Sequence, residues 1–493
     1  MKSRPNVLFL LTDQHNRRIA GFAGNKIVRT KNLDRLASEG VHFQNAYCQF
    51  PLCTPSRISM WTGRLPHKCG AMTNNMPIFP EFLTIPEHFA NHGYITCGIG
   101  KMHVGGPDPM NGFQFRPYGD LKCNKFCGHQ PDPIRTAKDQ IWTRHDIGHF
   151  PFAGESEIPE SLLQDSVVTK ETIAFILEHI DKHPNQPWFV CASYSRPHHP
   201  LTSPGRYFRR YWPNGPDLEP LPPGFPDKIH PHDRFIVDDY RLTAFTDEER
   251  RRALAAYYAS VDFVDDCIGE LLSALEKNGA LDNIIILYTS DHGDMMSEHG
   301  LWWKRTYYDG ASQVPLLIKA PGLEPSTISE AVELLDIFPT LCDLAGVPIP
   351  DGLDGESLVN LIRGDLWQKG FIRCEHIARK ETSFRMIRTR EWKYVEFPEF
   401  PPVLFDMVND PDETTNLANS KAYADKVAEL NARLWEDGES WETLFSARQS
   451  FRERAETQRL TYDDATPNQY RLADGTIVDA EGMLYGNLIG KDL

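Results

Sequence analysis

The strongest constraint on the fold is a set of short, continuously apolar runs. They are "NVLFLLTD" (6–13), "GYITCGIG" (93–100), "PWFVCASYS" (187–195), "NIIILYTSD" (283–291) and "VPLLIKAPG" (314–322). Runs of this length without polar alternation suit strands covered on both faces, as in parallel sheets flanked by helices. Helix signals lie between them. Thr30 stands in front of "KNLDRLASEG", which stops at Gly40 and is followed by the strand-like "VHFQNAYC". Thr246 and Glu249 have capping-box spacing at the head of a long amphipathic segment that reaches Gly279. Strands alternating with helices predict an α/β fold, with a large, mostly parallel sheet sandwiched by helices.

The pattern covers residues 1–365, read as the main α/β domain. "FRMIRTREWKYVEF" (384–397) then alternates like an antiparallel strand, and "YADKVAELNARLWEDG" is an amphipathic helix, so 366–443 reads as a smaller C-terminal α+β subdomain. Residues 444–493 are polar and weakly patterned, an extension packed on the body or on a second copy in a homo-oligomer. The segment 196–245 is rich in Pro and aromatics without a period and reads as a long ordered loop or lid. Trp142, Tyr207 and Trp212 fit either a substrate pocket or the core.

Charge and composition narrow the function. A net charge of −16 argues against a nucleic-acid surface, which needs clustered Lys and Arg. The chain contains no apolar stretch long enough for a membrane span, and its N-terminus lacks a signal-peptide pattern, so the expected location is cytoplasmic. The ten cysteines are scattered and read as reduced thiols. "CNKFCGH" (Cys123, Cys127, His129) has no second ligand pair to complete a zinc site.

The candidate site lies where the apolar runs end, since ligands of α/β sheets gather beyond the carboxyl ends of strands. One run ends in Asp13 and Gln14, another in Asp291 and His292, a third in Lys101 and His103, and a fourth leads into His198 and His199. "GIGK" lacks the spacing of a phosphate loop. In "PLCTPSR", Pro55 favours a first helical turn, so Cys53 is expected at a helix N-terminus with Arg57 one turn later. Both features acidify a thiol and attract anions. These residues alone leave Cys53 open as a nucleophile, a metal ligand, half of a disulfide or a precursor.

"CTPSR" with the following "TGRLPH" resembles the signature of the type I, formylglycine-dependent sulfatases of the alkaline-phosphatase-like superfamily. The resemblance extends to "NVLFLLTDQ", "GKMHVG", "PHHP", "SDHGDMMSEHGLWWK" and "IRTREWKY…LFDMVNDPDETTNL". It implies that a formylglycine-generating enzyme oxidises Cys53 to Cα-formylglycine, whose hydrate is the nucleophile. It also implies a divalent cation bound by Asp13, Gln14, Asp291, His292 and the modified Cys53. Oxygen donors favour Ca²⁺ and the imidazole suits Mn²⁺, with Ca²⁺ preferred. Arg57 would hold the diol, and Lys101 and Lys304 would bind the ester oxygens. His198 would assist the leaving oxygen, His103 would act as the base for sulfate release, and Asn74 would contact sulfate.

The implied activity is hydrolysis of small organic sulfate monoesters. Two alternatives stand beside it: a phosphonate monoester or phosphodiester hydrolase of the same superfamily, and a non-catalytic binding protein. Many sulfatases carry an acid where Gln14 stands and Asn where His292 stands. The phosphonate-ester hydrolases share Asp-Gln and Asp-His there, but have neutral hydroxyl residues in place of Lys101 and His103.

Overall fold

The structure is a computed structural model that describes residues 4–74, 76–106, 108, 110–119, 149–457, 469–471 and 477–479. The apolar runs and the "VHFQNAYC" segment become β1 (Asn6–Asp13), β2 (Val41–Tyr47), β3 (Ile95–Gly100), β4 (Trp188–Pro197), β5 (Ile284–Ser290) and β6 (Gln313–Lys319). A further strand, β7 (Ser326–Glu333), completes one sheet in the order β3-β4-β1-β5-β6-β2-β7. Only β6 runs against its neighbours in this sheet; the other pairings are parallel.

Helices cover both faces. Leu8 and Leu10 of β1 pack on one side with α1 (Lys31–Glu39), α3 (Gln164–Lys182) and α4 (Asp247–Lys277). Val7, Phe9 and Leu11 pack on the other with α2 (Cys53–Thr62) and α5 (Ile337–Ala345). Alternate residues of one strand thus enter two separate cores, which is why the run is apolar throughout.

Helix α4 begins with the expected capping box, in which Thr246 Oγ1 accepts from the Glu249 amide at 3.2 Å and Glu249 accepts from the Thr246 amide at 2.8 Å. Helix α1 is capped differently. Thr30 Oγ1 turns to Asp34 and to the Gly21 amide, while Asp265 of α4 accepts from the amides of Asn32 (3.1 Å) and Leu33 (2.8 Å). The segment 196–245 departs from the expected loop, since it contains helices Gly205–Tyr211 and Pro231–Asp239. Tyr207 is fully buried in the core, and Trp212 is partly buried and packs against it. Trp142, Cys123, Cys127 and His129 lie outside the described residues. The eight described cysteines are buried free thiols, and no described helix is long and apolar enough to cross a membrane.

The C-terminal part is a four-stranded antiparallel sheet of β8 (Phe371–His376), β9 (Phe384–Thr389), β10 (Trp392–Glu396) and β11 (Val403–Asp406). One face packs under α6 (Ala424–Leu434), and the other joins the main core through Met386, Val395 and Phe405. Residue 444 falls inside α7 (Trp441–Thr457), whose Leu444 packs with Phe50 and Met72. Lys393 of β10 is fully buried and donates to Asp309, to Glu413 at 2.5 Å and to the Tyr307 carbonyl at 3.2 Å. Lys393→Met would leave two carboxylates buried without their cation. It is expected to cost about 3–5 kcal/mol in denaturant unfolding, against under about 1 kcal/mol for Arg452→Ala, which breaks only an exposed pair with Glu456.

Candidate active site

Strands β3, β4, β1 and β5 are consecutive and parallel, so their carboxyl ends open on one rim. β1 delivers Asp13 and Gln14, and β5 delivers Asp291 and His292. β3 delivers Lys101 and His103, and β4 delivers His198. β3 and β4 touch at Gly100, where φ is +92° and a Cβ would lie 2.0 Å from the Ser193 carbonyl. That closeness lets the Lys101 amide donate to Ser193 at 3.0 Å.

β2 points the same way and leads into α2, whose first residue is Cys53, at a helix N-terminus as expected and buried. Asn74 Oδ1 accepts from the Thr54 amide at 3.2 Å and so caps α2. Thr54 Oγ1 lies within hydrogen-bond reach of the carbonyls of Asn74 (3.0 Å) and His103 (2.6 Å), which ties both residues to the helix. With Oδ1 bonded to the Thr54 amide, the Asn74 side chain keeps Nδ2 as its donor.

Arg57 lies one turn below Cys53. Its Nε donates to Asp291 at 2.7 Å and its Nη2 to Asp13 at 3.0 Å. Nη1 donates to the Lys101 carbonyl at 2.7 Å and to Ser193 Oγ at 3.1 Å. The structure thus places the guanidinium across the two carboxylates, close enough to Cys53 to feel its charge.

Cys53 Sγ is ringed by Lys304 Nζ at 3.0 Å, His292 Nε2 at 3.2 Å and Asp13 Oδ1 at 3.7 Å, and His103 and His198 lie close enough to interact with it. Burial and Asp13 push the thiol up, but Lys304, Lys101 and His292 outweigh them and hold it well below its ordinary range. Lys101 Nζ pairs with Asp13 at 2.8 Å. Burial and the two lysines push His198 down to about 3, and burial lowers His103 as well, so both stand as neutral imidazoles. Gln14, His103, Trp303 and Arg305 have left-handed φ between +50° and +70°, a conformation that non-glycine residues adopt mainly where a site demands it.

Ligand atoms of Asp13, Cys53, Asp291 and His292 all lie within 4.8 Å of one another. Burial works against the ionised Asp13, but Lys101 and Arg57 override it and keep it well below the usual carboxylate range. Burial and the Asp13 charge push Asp291 up. Burial lowers His292, yet Asp291 raises it further, to about 9. Its Nδ1 lies 2.9 Å from the Gly293 carbonyl, so Nε2 is the atom facing the cluster. Gln14 Oε1 points inward as well, 2.7 Å from Lys304 Nζ. Two carboxylates, an amide oxygen and an imidazole nitrogen, all buried at one point, fit a divalent cation.

Sequence reasoning missed four contributors. Asp294 accepts from the Gln14 side chain, and Tyr257 Oη donates to the Gln14 carbonyl at 2.5 Å. Ser193 Oγ meets Arg57, and Ser56 Oγ donates to the Asp291 carbonyl at 2.5 Å. Only Asp294 had a sequence signal, as the last residue of "SDHGD".

A seven-stranded sheet of this order, with an acid, imidazole and cysteine cluster at its rim and a small antiparallel sheet behind, defines an alkaline-phosphatase-like hydrolase. Residues 5–347 match the Sulfatase family, and residues 297–440 match the family described as N-sulphoglucosamine sulphohydrolase, C-terminal. The chain belongs to the sulfatase family. A choline-sulfatase of Rhizobium meliloti is 33% identical over 85% of this chain and 83% of its own length. An arylsulfatase of Clostridium perfringens is 33% identical over 87% of this chain and 94% of its own length. Among solved structures, the phosphonate monoester hydrolase of Agrobacterium radiobacter superposes with a TM-score of 0.74 at 25% identity. That match covers 97% of this chain and 99% of the hydrolase.

Asp13→Ala or Asp291→Ala removes one of two buried carboxylates and leaves Arg57 half-paired. Elemental analysis is expected to show bound divalent metal falling from stoichiometric to trace levels. A wild-type protein that is fully active and metal-free would refute the cation site.

Proposed function

We propose that this protein hydrolyses organic sulfate monoesters through a formylglycine made from Cys53 by a formylglycine-generating enzyme. The observation that carries the reading is the placement of Lys101 and His103 at the end of β3, beside Cys53, with Lys304 on its other side. A divalent cation, preferably Ca²⁺, held by Asp13, Gln14, Asp291 and His292 would supply positive charge to the nucleophilic hydroxyl and a sulfate oxygen.

Lys101 and Lys304 bind the remaining sulfate oxygens and stabilise charge that builds on them. One hydroxyl of the residue-53 hydrate, acidified by the surrounding positive charge, gives up its proton to solvent and attacks sulfur as the bond from sulfur to the alcohol oxygen breaks. His198 delivers the proton that this oxygen needs. Burial and the two lysines disfavour the protonated form of His198, and the ester's own negative charge offsets the lysines, so the imidazole's proton affinity rises while substrate is bound. The sulfuryl group is then on residue 53. His103, neutral and in contact with position 53, removes the proton of the second hydroxyl. The carbonyl re-forms, the carbon–oxygen bond to sulfate breaks, and water adds back to the aldehyde.

A second reading, hydrolysis of phosphonate monoesters or phosphodiesters, is supported by the Gln14 and His292 ligand positions and by the similarity to the phosphonate monoester hydrolase. A sulfate monoester carries one negative charge, and its release from residue 53 requires a base. Lys101 and His103 suit those needs better than neutral hydroxyls would.

Protein co-produced with a formylglycine-generating enzyme is expected to carry the aldehyde at position 53 by peptide mass spectrometry. Cys53→Ala should fold and be inactive; a fully active protein with an unmodified thiol would end the mechanism. The modified enzyme is expected to show a higher kcat/KM for aryl sulfates than for aryl phosphonates. His103→Ala should give a burst of alcohol followed by very slow turnover, and equal loss of burst and steady state would remove His103 from the release step.

A further inference from the structure

Asp294 is a buried carboxylate that the proposed mechanism does not use. Donors surround it. Its Oδ1 accepts from the backbone amides of Met296 at 3.1 Å and Trp303 at 2.8 Å, and its Oδ2 accepts from Gln14 Nε2. The opposite end of the Gln14 amide meets Lys304 Nζ at 2.7 Å. An ammonium can only donate and an ionised carboxylate can only accept. The amide therefore has one permitted orientation, with nitrogen toward Asp294 and oxygen toward Lys304 and the cation-binding cluster.

We infer that Asp294 is the positioning residue that aims the Gln14 oxygen at the cation. The inference rests on the reading of Asp13, Gln14, Asp291 and His292 as a metal site, and it deepens that reading. The Gln14 backbone cannot do this job alone. Its φ of +69°, its amide on Asp291 at 3.0 Å and its carbonyl on Tyr257 fix where the side chain starts, but not which end of the amide turns inward. Asp294 also adds a buried negative charge on the Gln14 side of Lys304 without taking a coordination position.

Asp294→Asn makes a sharp test because it changes donors and acceptors but not shape. The Met296 and Trp303 amides still need an acceptor, so the oxygen of the new carboxamide must face them and its NH₂ must face Gln14. Gln14 then has to turn its oxygen outward and present NH₂ to Lys304 and to the cation. Calorimetric titration with Ca²⁺ and with Mn²⁺ should show affinity about 10–100-fold weaker than in the wild type. Gln14→Glu added to Asp294→Asn should restore binding, because a carboxylate accepts from the substituted NH₂ and still offers an oxygen inward. If Asp294→Asn alone fails to fold, the double variant still tests the idea, since it is expected to fold and to bind metal. Asp294→Asn that binds within about twofold of wild type would overturn the inference. So would a double variant that binds no better than the single one. Wild-type protein that binds neither cation would instead overturn the metal site itself.

Discussion

The Arg57 guanidinium, bonded to Asp13 and Asp291 at once, is the interaction on which the rest of the site depends. All three side chains are fully buried. A single charge buried at that depth would cost several kcal/mol, and removing one partner would leave the others uncompensated. Arg suits the position because its planar fork reaches four acceptors at once, which a lysine could not do. Those acceptors come from β1, the residue after β5, the residue after β3, and β4. One side chain of α2 therefore sets the spacing of four strand ends, and Cys53 lies one turn from it. The proposed nucleophile position and the two carboxylates proposed as cation ligands are built on the same bracket.

Around this bracket the backbone is held in conformations it would not choose. Left-handed residues such as Gln14, His103, Trp303 and Arg305 cost on the order of 1–3 kcal/mol each and persist only where neighbours fix them. Here the neighbours are identifiable. Tyr257 of α4 bonds the Gln14 carbonyl, Thr54 holds the His103 carbonyl, and the amides of Trp303 and Arg305 bond Asp294 and the Pro51 carbonyl. Lys304 sits between two strained residues, so its ammonium is aimed rather than free to wander. Such a site is pre-organised, which is what electrostatic stabilisation of a developing charge requires.

What was legible in the sequence follows from how locally each feature is encoded. A strand buried on both faces shows as uninterrupted apolar residues, and the first polar residue after it marks the rim. Asp13, Lys101, His198 and Asp291 could be found that way. β7 could not, because it begins exposed at the edge of the sheet and is buried only toward Glu333. Thr30 looked like the cap of α1, but Asp265, far along the chain, does the capping. Tyr257 is likewise one aromatic in an ordinary amphipathic helix until the fold brings it to Gln14. Tertiary partners of this kind leave no periodicity behind. The resemblance assigned Arg57 to the nucleophile; its four acceptors became visible only when the strand ends were brought together.

The overall charge and the site pull in opposite directions, and distance decides between them. A net charge of −16 repels an anionic ester, but that field is spread over the surface and screened within about 8 Å at physiological ionic strength. The cations of the site are not screened in this way. Lys101, Lys304 and Arg57 are each at least nine-tenths buried, in surroundings where a charge at a few ångströms counts several times more than in water. An anion therefore meets weak repulsion outside and concentrated attraction within. A polyanion such as nucleic acid would meet mainly the outside, because its phosphates would have to spread over the acidic surface. Under the proposed function, a small ester would bring its single anionic group to the two buried lysines. The charge distribution that disfavours a spread polyanion therefore still attracts a single anionic group brought to the buried cations.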